Sequence, residues 1–317
     1  MFQRAAPLSP DHMASGTSSR TAGAGSFGLP LAALALGAAA MGVSPIFVRW
    51  TASEVGPFAS AFWRVALALP LLYGWMRAEE RGRAAPLRRL DRPTAWAGLA
   101  FAGDLFFWHL AILSTTVANA TFFATTAPVF VVLAGWLVLG RTPARATLAG
   151  LLLCLGGGAA LIGQSLQVDP ARLTGDVYGI VTACFFGLYF LCVERARGRA
   201  GPGRVTFGLS LVTAAILLCV ALALEPARFW PQSAPVWASL VALGIVSHAG
   251  GQGLLSVALG RLPAAFSSLV IFVEAICAAI AGWVLLGEAL TAVQLCGGAL
   301  IVGGIWIARP RPDREGP

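Results

Sequence analysis

Residues 134–157 read AGWLVLGRTPARATLAGLLLCLGG, and residues 281–304 read AGWVLLGEALTAVQLCGGALIVGG. The two stretches align without a gap at a shift of 147 residues. The positions that meet identical residues include Ala134, Gly135, Trp136, Leu139, Gly140, Gly150, Gly156 and Gly157. Because self-similarity at a fixed spacing is the mark of a repeated unit, the match predicts that the chain arose by duplication.

The sequence around this repeat is strongly apolar. Of the 317 residues, 57% are hydrophobic and 11% are charged, whereas about a quarter of the residues in a soluble domain are charged. The apolar runs have the length that a helix needs to cross a bilayer, about 20 residues. They are too long and too continuously apolar for the alternating strands of a membrane barrel. We therefore predict an all-α membrane protein with ten transmembrane helices.

The candidate spans follow one another with short polar gaps. They are Pro30–Trp50, Pro57–Met76, Thr94–Ser114, Ala118–Leu139, Ala146–Gly163, Gly175–Val193, Thr206–Leu224, Val236–Leu259, Pro263–Leu286 and Leu290–Ala308. Five spans per repeat is an odd number, so the second repeat must be inverted relative to the first. Inverted repeats are typical of secondary transporters that bind substrate near the bilayer midplane.

These spans divide the chain into two repeats and three connecting or terminal segments. We predict a first five-helix repeat over residues 29–164, an external linker over 165–174 and a second repeat over 175–308. Residues 1–28, rich in Ala, Ser and Gly, are expected to form a disordered cytoplasmic tail. Residues 309–317 would be a second, short cytoplasmic tail.

The basic residues indicate how the chain is oriented. All 22 are arginines, and 18 of them fall on one side if the N-terminus is cytoplasmic. Because positively charged loops stay in the cytoplasm, both termini are predicted to be cytoplasmic in a multi-pass inner-membrane protein. The arginines occupy gaps between apolar runs, so the net charge of +8 does not indicate nucleic-acid binding. The expected partners are the lipid bilayer and a small-molecule substrate, for a monomer or a homodimer.

Several function classes find no support in the sequence. The six cysteines lie in apolar runs, where cysteine usually acts as a small hydrophobic residue. None has the spacing to a histidine that a metal site requires. The glycine-rich stretches lack the lysine of a phosphate-binding loop, and the loops are too short to hold a nucleotide-binding domain. We expect neither a metal nor an ATP-driven pump.

Ionisable side chains within the spans are the first candidates for a substrate site, because they are costly in lipid and usually face a cavity. Asp104 lies in the middle of the third span, and Trp108 follows it by four residues on the same helix face. His248, in the eighth span, maps onto Phe101, three residues before Asp104. The matching faces predict an Asp104–His248 pair across the repeat axis that binds substrate or relays protons.

Further candidates for substrate binding or proton coupling lie in neighbouring spans. Glu274 and Ser267 are seven residues apart and share a face of the ninth span. The remaining candidates are Asn119, Thr126, Tyr189 and Gln252. For each polar residue the alternative is a structural hydrogen bond between helices. Arg64 is expected to be structural, either reaching the interface or pairing with Glu54.

Three groups of residues form a recognisable pattern: Phe62-Trp63-Arg64, Ala127-Pro128, and Gly287-Glu288 with Leu290, Gln294, Gly297 and Gly303. This pattern resembles the EamA-like family of the drug/metabolite transporter superfamily, and the resemblance covers about residues 30–308. The chain departs from the family pattern at Arg141, where Glu is common, and at Ala275, where Pro is common. The resemblance implies alternating-access transport, often efflux of amino acids or related metabolites, without a bound cofactor.

The sequence therefore favours a secondary transporter, with export of small metabolites such as amino acids, coupled to protons or working by exchange. The alternatives are a lipid scramblase or channel-like protein and a membrane-embedded transferase. Because the carboxylates are isolated and near the midplane, we expect no enzymatic activity and no catalytic residues.

Overall fold

A computed structural model of the chain describes residues 27–81, 90–163, 170–286 and 291–310. Within these residues, eight helices are long and apolar enough to cross a membrane. They are α1 (Gly28–Thr51), α2 (Pro57–Glu80), α3 (Arg92–Ser114), α4 (Ala118–Leu137), α5 (Arg145–Ile162), α6 (Pro170–Arg197), α7 (Pro202–Leu224) and α8 (Ala234–Leu259). Two further apolar helices complete the bundle: α9, made of Ala264–Val270 and Val273–Leu286, and α10 (Ala292–Ala308).

The predicted ten-helix membrane fold is confirmed. The largest difference in boundaries is in α6, which begins at Pro170 and continues to Arg197, whereas Gly175 and Val193 were predicted. At the C-terminal end, Glu194 and Arg197 account for the extension, because both side chains bond to other parts of the bundle. Most of the predicted N-terminal tail, the first half of the predicted linker and Glu288 lie outside the described residues.

The crossing of α5 and α10 shows the inverted repeat directly. A Cβ added to Gly150 would lie 2.5 Å from the carbonyl oxygen of Gly304, and one added to Gly157 would lie 2.5 Å from that of Gly297. Under the shift of 147 residues, Gly150 corresponds to Gly297 and Gly157 to Gly304. Each contact is therefore the image of the other, as a pseudo-two-fold axis requires.

Two further contacts mark where this axis runs. Cys154 and Ile301 are equivalent under the shift, and the Cys154 Sγ atom lies 3.6 Å from the Ile301 carbonyl oxygen. Phe101 and His248 are also equivalent, and their ring centroids are 5.3 Å apart. A residue that touches its own repeat equivalent must lie beside the symmetry axis. The axis thus passes between α5 and α10 and between α3 and α8.

The two repeats interlock rather than sitting side by side. The third helix of the first repeat, α3, packs on α6, where Gly103 faces the Phe185 ring. The symmetric contact joins α8 to α1, where Gly37 and Gly251 face each other's backbone. The centre of the bundle is therefore built from both repeats.

Two glutamates tie the antiparallel helices α2 and α7 together at both ends. The Glu225 carboxylate, just after α7, accepts a hydrogen bond of 2.9 Å from the backbone N–H of Phe58 at the start of α2. The Glu79 carboxylate, near the end of α2, accepts one of 2.7 Å from the N–H of Gly203 at the start of α7. Carboxylates at helix N-termini satisfy free N–H groups and complement the helix dipole. The pair of caps holds α2 and α7 as one unit.

We expect the Glu225 cap to make stability depend on pH. Burial raises the pKa of Glu225 above its ordinary value, although the N–H groups that it accepts act in the opposite direction. The folded protein then binds this proton more tightly than the unfolded chain, so the contribution of Glu225 to stability falls as pH rises from the ordinary glutamate pKa towards the raised one. The melting temperature of purified wild-type protein should fall across this range relative to that of Glu225→Gln. Parallel melting curves for the two proteins would contradict the expectation.

Candidate substrate site

Three charged side chains meet at the centre of the bundle: Arg64 from α2, Asp104 from α3 and Glu274 from α9. They border a cavity of about 40 Å³. The other residues that line it are Met41, Ser44, Leu105, Trp108, Ala124, Phe186, Gln252 and Ile271. Both repeats thus contribute to the cavity, in agreement with the midplane location of sites in inverted-repeat transporters.

The cavity forms where helices are interrupted. The first helix breaks at Val43 because Pro45 follows, and the freed Ser44 hydroxyl donates a hydrogen bond of 2.5 Å to the Met41 carbonyl. Helix α4 breaks at Thr126, just ahead of Pro128. Proline supplies no N–H and clashes with the preceding turn, so it ends or bends a helix.

The second repeat reaches the same geometry without proline. In α9 the two half-helices end at Val270 and begin at Val273, so Glu274 stands in the first turn of the second half. In α8, residues Leu243–Gln252 form a wide π-helical stretch, a distortion that is frequent at functional sites. A carboxylate at a helix N-terminus lies in the favourable field of the helix dipole.

Arg64 is buried near the two carboxylates. Its side chain is buried, with 4% of the residue exposed. One Nη atom donates a hydrogen bond of 2.9 Å to the Ser247 hydroxyl, and the guanidinium lies 5.4 Å from the centre of the Trp108 ring. Asp104 and Glu274 are both close enough to interact electrostatically with Arg64. When all three groups are ionised, the site carries two negative charges and one positive charge.

This placement of Arg64 differs from the expectation that it reaches the interface or pairs with Glu54. The Glu54 carboxylate instead accepts hydrogen bonds from the backbone N–H groups of Gln232 and Ser233, 2.8 and 3.0 Å away, ahead of α8. A hydrogen bond from the Ser233 side chain, with smaller contributions from these backbone bonds, lowers the pKa of Glu54. Arg64 therefore joins the candidate site, although the sequence analysis expected a structural role for it. Its position within a membrane span was the available signal.

Four of the residues selected from the sequence line the cavity: Asp104, Trp108, Gln252 and Glu274. Tyr189 lies behind them, where its hydroxyl donates a hydrogen bond of 2.9 Å to Gln252 Oε1. The Gln252 amide then donates to Met41 Sδ at 3.0 Å. This chain of contacts joins α6, α8 and α1 and fixes the Gln252 side chain at the edge of the cavity.

His248 is fully buried away from the cavity. Its Nε2 atom lies 2.8 Å from the Ser210 hydroxyl of α7, and its ring stacks on Phe101. Asp104 lies one turn along α3 from Phe101 and interacts with Arg64. His248 therefore contacts Phe101, the repeat equivalent of its own position. Asp104 interacts with Arg64 instead of forming the predicted pair with His248.

The other selected residues support the helix ends and breaks. The Asn119 amide donates a hydrogen bond of 3.0 Å to Asp176 at the start of α6. The Thr126 hydroxyl donates one of 2.6 Å to the Phe123 carbonyl across the break in α4. Ser267 is fully buried in the first half of α9. None of these three is among the residues that line the cavity within the described part of the chain.

Comparisons with known proteins agree with this architecture. The model of the EamA-like transporter family matches the chain twice, over residues 28–163 and 173–309. An uncharacterized transporter of Archaeoglobus fulgidus is 31% identical over 284 residues, which cover 87% of this chain and 95% of the relative. The threonine/homoserine exporter RhtA of Escherichia coli strain K12 is 28% identical over 243 residues, covering 76% of this chain and 78% of the exporter.

The fold also has a counterpart among solved structures. One crystal structure superimposes with a TM-score of 0.72 at 22% sequence identity, covering 88% of this chain and 96% of the other. At this level of identity the likeness concerns the fold. The double match of the family model, together with the paired glycine contacts and the interrupted helices, identifies the chain as a multi-pass membrane transporter that belongs to the EamA-like transporter family.

Proposed function

We propose that the protein exports small zwitterionic amino acids in exchange for protons, with Arg64, Asp104 and Glu274 as the substrate site. The observation that carries the proposal is the presence of one guanidinium and two carboxylates around a single cavity. A planar guanidinium matches the geometry of a carboxylate, and the two acids suit an ammonium group. The site thus offers a partner to each end of an amino acid.

The charge balance supports proton exchange. With Arg64, Asp104 and Glu274 all ionised, the net charge of the site is −1, which is costly inside a membrane. A bound proton neutralises this charge. A zwitterionic amino acid carries no net charge and leaves this total unchanged, but its carboxylate pairs with Arg64 and its ammonium takes the place of the proton beside Asp104 and Glu274. Proton and ammonium therefore compete for the same carboxylates, and this competition is what an exchange mechanism requires.

The size of the cavity supports alternating access. About 40 Å³ is little more than the volume of one water molecule, about 30 Å³, so an amino acid cannot enter this conformation. Widening the cavity requires the half-helices of α1, α4 and α9 to move at their breaks. Ser44 and Gln252 would then be available to a hydroxyl group, which fits the similarity to a threonine/homoserine exporter.

The distribution of arginines supports one orientation of the molecule. The end that carries Glu79, Arg141 and Glu194 is also the end where most arginines lie. By the positive-inside rule we place this end, with both termini, in the cytoplasm of a cell with an inner membrane. The end that carries Glu54 and Glu225 then faces outwards.

Reconstituted protein tests this proposal. Proteoliposomes containing wild-type protein should release threonine or homoserine when a proton gradient is imposed, faster than empty vesicles. Asp104→Asn removes a charge-assisted contact worth about 1.5–3 kcal/mol, so gradient-driven flux should fall roughly 10- to 100-fold. Asp91→Asn, just ahead of the same helix, is the matched control and should keep wild-type flux.

Two results would contradict the proposal. If Asp104→Asn kept wild-type flux with the same pH dependence, Asp104 would have no part in coupling. If the wild type moved no member of a broad amino-acid panel faster than empty vesicles, the assigned substrate class would be wrong.

A further inference from the structure

A second and much larger cavity lies at the arginine-rich end, away from the substrate site. Its volume is about 510 Å³, which is within the range of small-molecule sites, about 300–1,000 Å³. It lies between the start of α3, the end of α4 and the end of α6. We call it the α3–α6 groove. Its wall includes Trp96, Val138, Leu139 and Leu188.

The wall of the groove faces hydrocarbon rather than water. The exposed fractions of Trp96, Leu188 and Leu139 are 58%, 45% and 43% in the protein without its bilayer. Trp96 and Leu188 project from the membrane-spanning helices α3 and α6, and Leu139 lies two residues beyond the end of α4. Such a surface favours an acyl chain, and a tryptophan at this depth is typical of the membrane interface.

The rim of the groove is strongly basic. Arg92, Arg141, Arg195 and Arg199 line it, and Glu194 is the one carboxylate among its lining residues. Glu194 is already bound, since its two oxygens accept hydrogen bonds from Arg141 at 2.6 Å and from a backbone N–H at the start of α9 at 2.8 Å. Among the described residues, Arg92, Arg195 and Arg199 form no ion pair.

We propose that the α3–α6 groove binds an anionic phospholipid, whose phosphate is held by Arg92, Arg195 and Arg199 and whose acyl chain lies against Trp96 and Leu188. Arginine binds phosphate through its planar array of N–H donors. Basic pockets between transmembrane helices at the interface are suited to anionic headgroups. The apolar wall selects a lipid over a free anion, because a free phosphate would leave that wall uncovered.

Binding of defined lipids to the full-length purified protein tests the proposal. Native mass spectrometry in detergent would measure the affinity for phosphatidylglycerol and for phosphatidylcholine with the same acyl chains. A combined Arg92→Gln, Arg195→Gln and Arg199→Gln variant removes three charges, each worth about five-fold in affinity. We expect its affinity for phosphatidylglycerol to fall on the order of 100-fold.

The matched control is the combination Arg77→Gln, Arg81→Gln and Arg261→Gln. These three arginines are exposed at the same end of the protein and lie outside the groove. The control removes the same net charge, and we expect it to change the affinity less than about five-fold. Equal losses in the two variants would show that the attraction is spread over the whole surface and would overturn the proposal.

Further measurements distinguish an anionic phospholipid from a free anion and from a zwitterionic lipid. Inorganic phosphate at millimolar concentration should not displace phosphatidylglycerol, and displacement would show a free-anion site instead. Equal affinity for phosphatidylcholine would also overturn the proposal. A photoactivatable phosphatidylglycerol should label peptides from α3 and α6 of the unmodified protein, and labelling confined to other helices would contradict the assigned groove.

Discussion

Replacing Arg64 with glutamine is expected to abolish transport, with gradient-driven threonine flux indistinguishable from that of empty vesicles. Glutamine removes the positive charge that faces Asp104 and Glu274 and leaves two buried carboxylates without a cation. Removing one partner from a buried charged group costs about 3–5 kcal/mol. Flux in proteoliposomes and the melting temperature of the purified protein would be measured together, because the variant affects both function and stability.

The variant Arg64→Lys separates charge from shape. Lysine keeps the positive charge but lacks the planar donor array that reaches both Ser247 and a substrate carboxylate. We expect a stable protein with flux reduced about ten-fold or more, the loss of a contact worth about 1.5–3 kcal/mol. Arg49→Gln, an exposed arginine of α1, is the control and should transport normally. Wild-type flux in Arg64→Gln would remove Arg64 from the site.

Replacing Gly157 with alanine is expected to destabilise the crossing of α5 and α10. The new Cβ would lie 2.5 Å from the Gly297 carbonyl oxygen and 2.9 Å from a side-chain carbon of Ile301. Backbone cannot yield as a flexible side chain can, so α5 and α10 must separate. Overpacking of this kind costs about 1–3 kcal/mol, and we expect a lower melting temperature in detergent.

The chain provides a matched control one residue away. An added Cβ at Gly156 meets no atom within 4 Å, and the same holds at its repeat equivalent, Gly303. Alanine is the better helix former by roughly 0.5–1 kcal/mol, so Gly156→Ala and Gly303→Ala should be neutral or stabilising. Equal destabilisation by Gly156→Ala and Gly157→Ala would contradict the close approach of α5 and α10.

The sequence predicted the fold well because the repeat is visible at constant spacing. Gly150 and Gly157 matched Gly297 and Gly304, and the structure shows why: the four glycines form the crossing between the halves. The helix breaks were harder to predict. Pro128 lies next to the break in α4, whereas the break in α9 lies ahead of Ala275 and has no proline beside it.

The site was predicted only in part, and the reason is geometric. The shift of 147 residues correctly related His248 to Phe101, and these residues do meet at the axis. Asp104 lies one turn farther along α3, where the charged residue that interacts with it is Arg64 of α2. A repeat relates equivalent positions but carries no information about Arg64, whose equivalent in the second repeat is Leu211. The charges of the site therefore break the symmetry that the helices obey.

In the proposed exchange mechanism, proton and amino acid compete for the carboxylates near Arg64. Calorimetric titration of purified protein with threonine, in buffers of different ionisation enthalpy, counts the protons released on binding. We expect release of about one proton per bound threonine at a pH where the free site is protonated, and none in the Asp104→Asn, Glu274→Gln double variant. Threonine binding without proton release by the wild type, or the same release by the double variant, would contradict it.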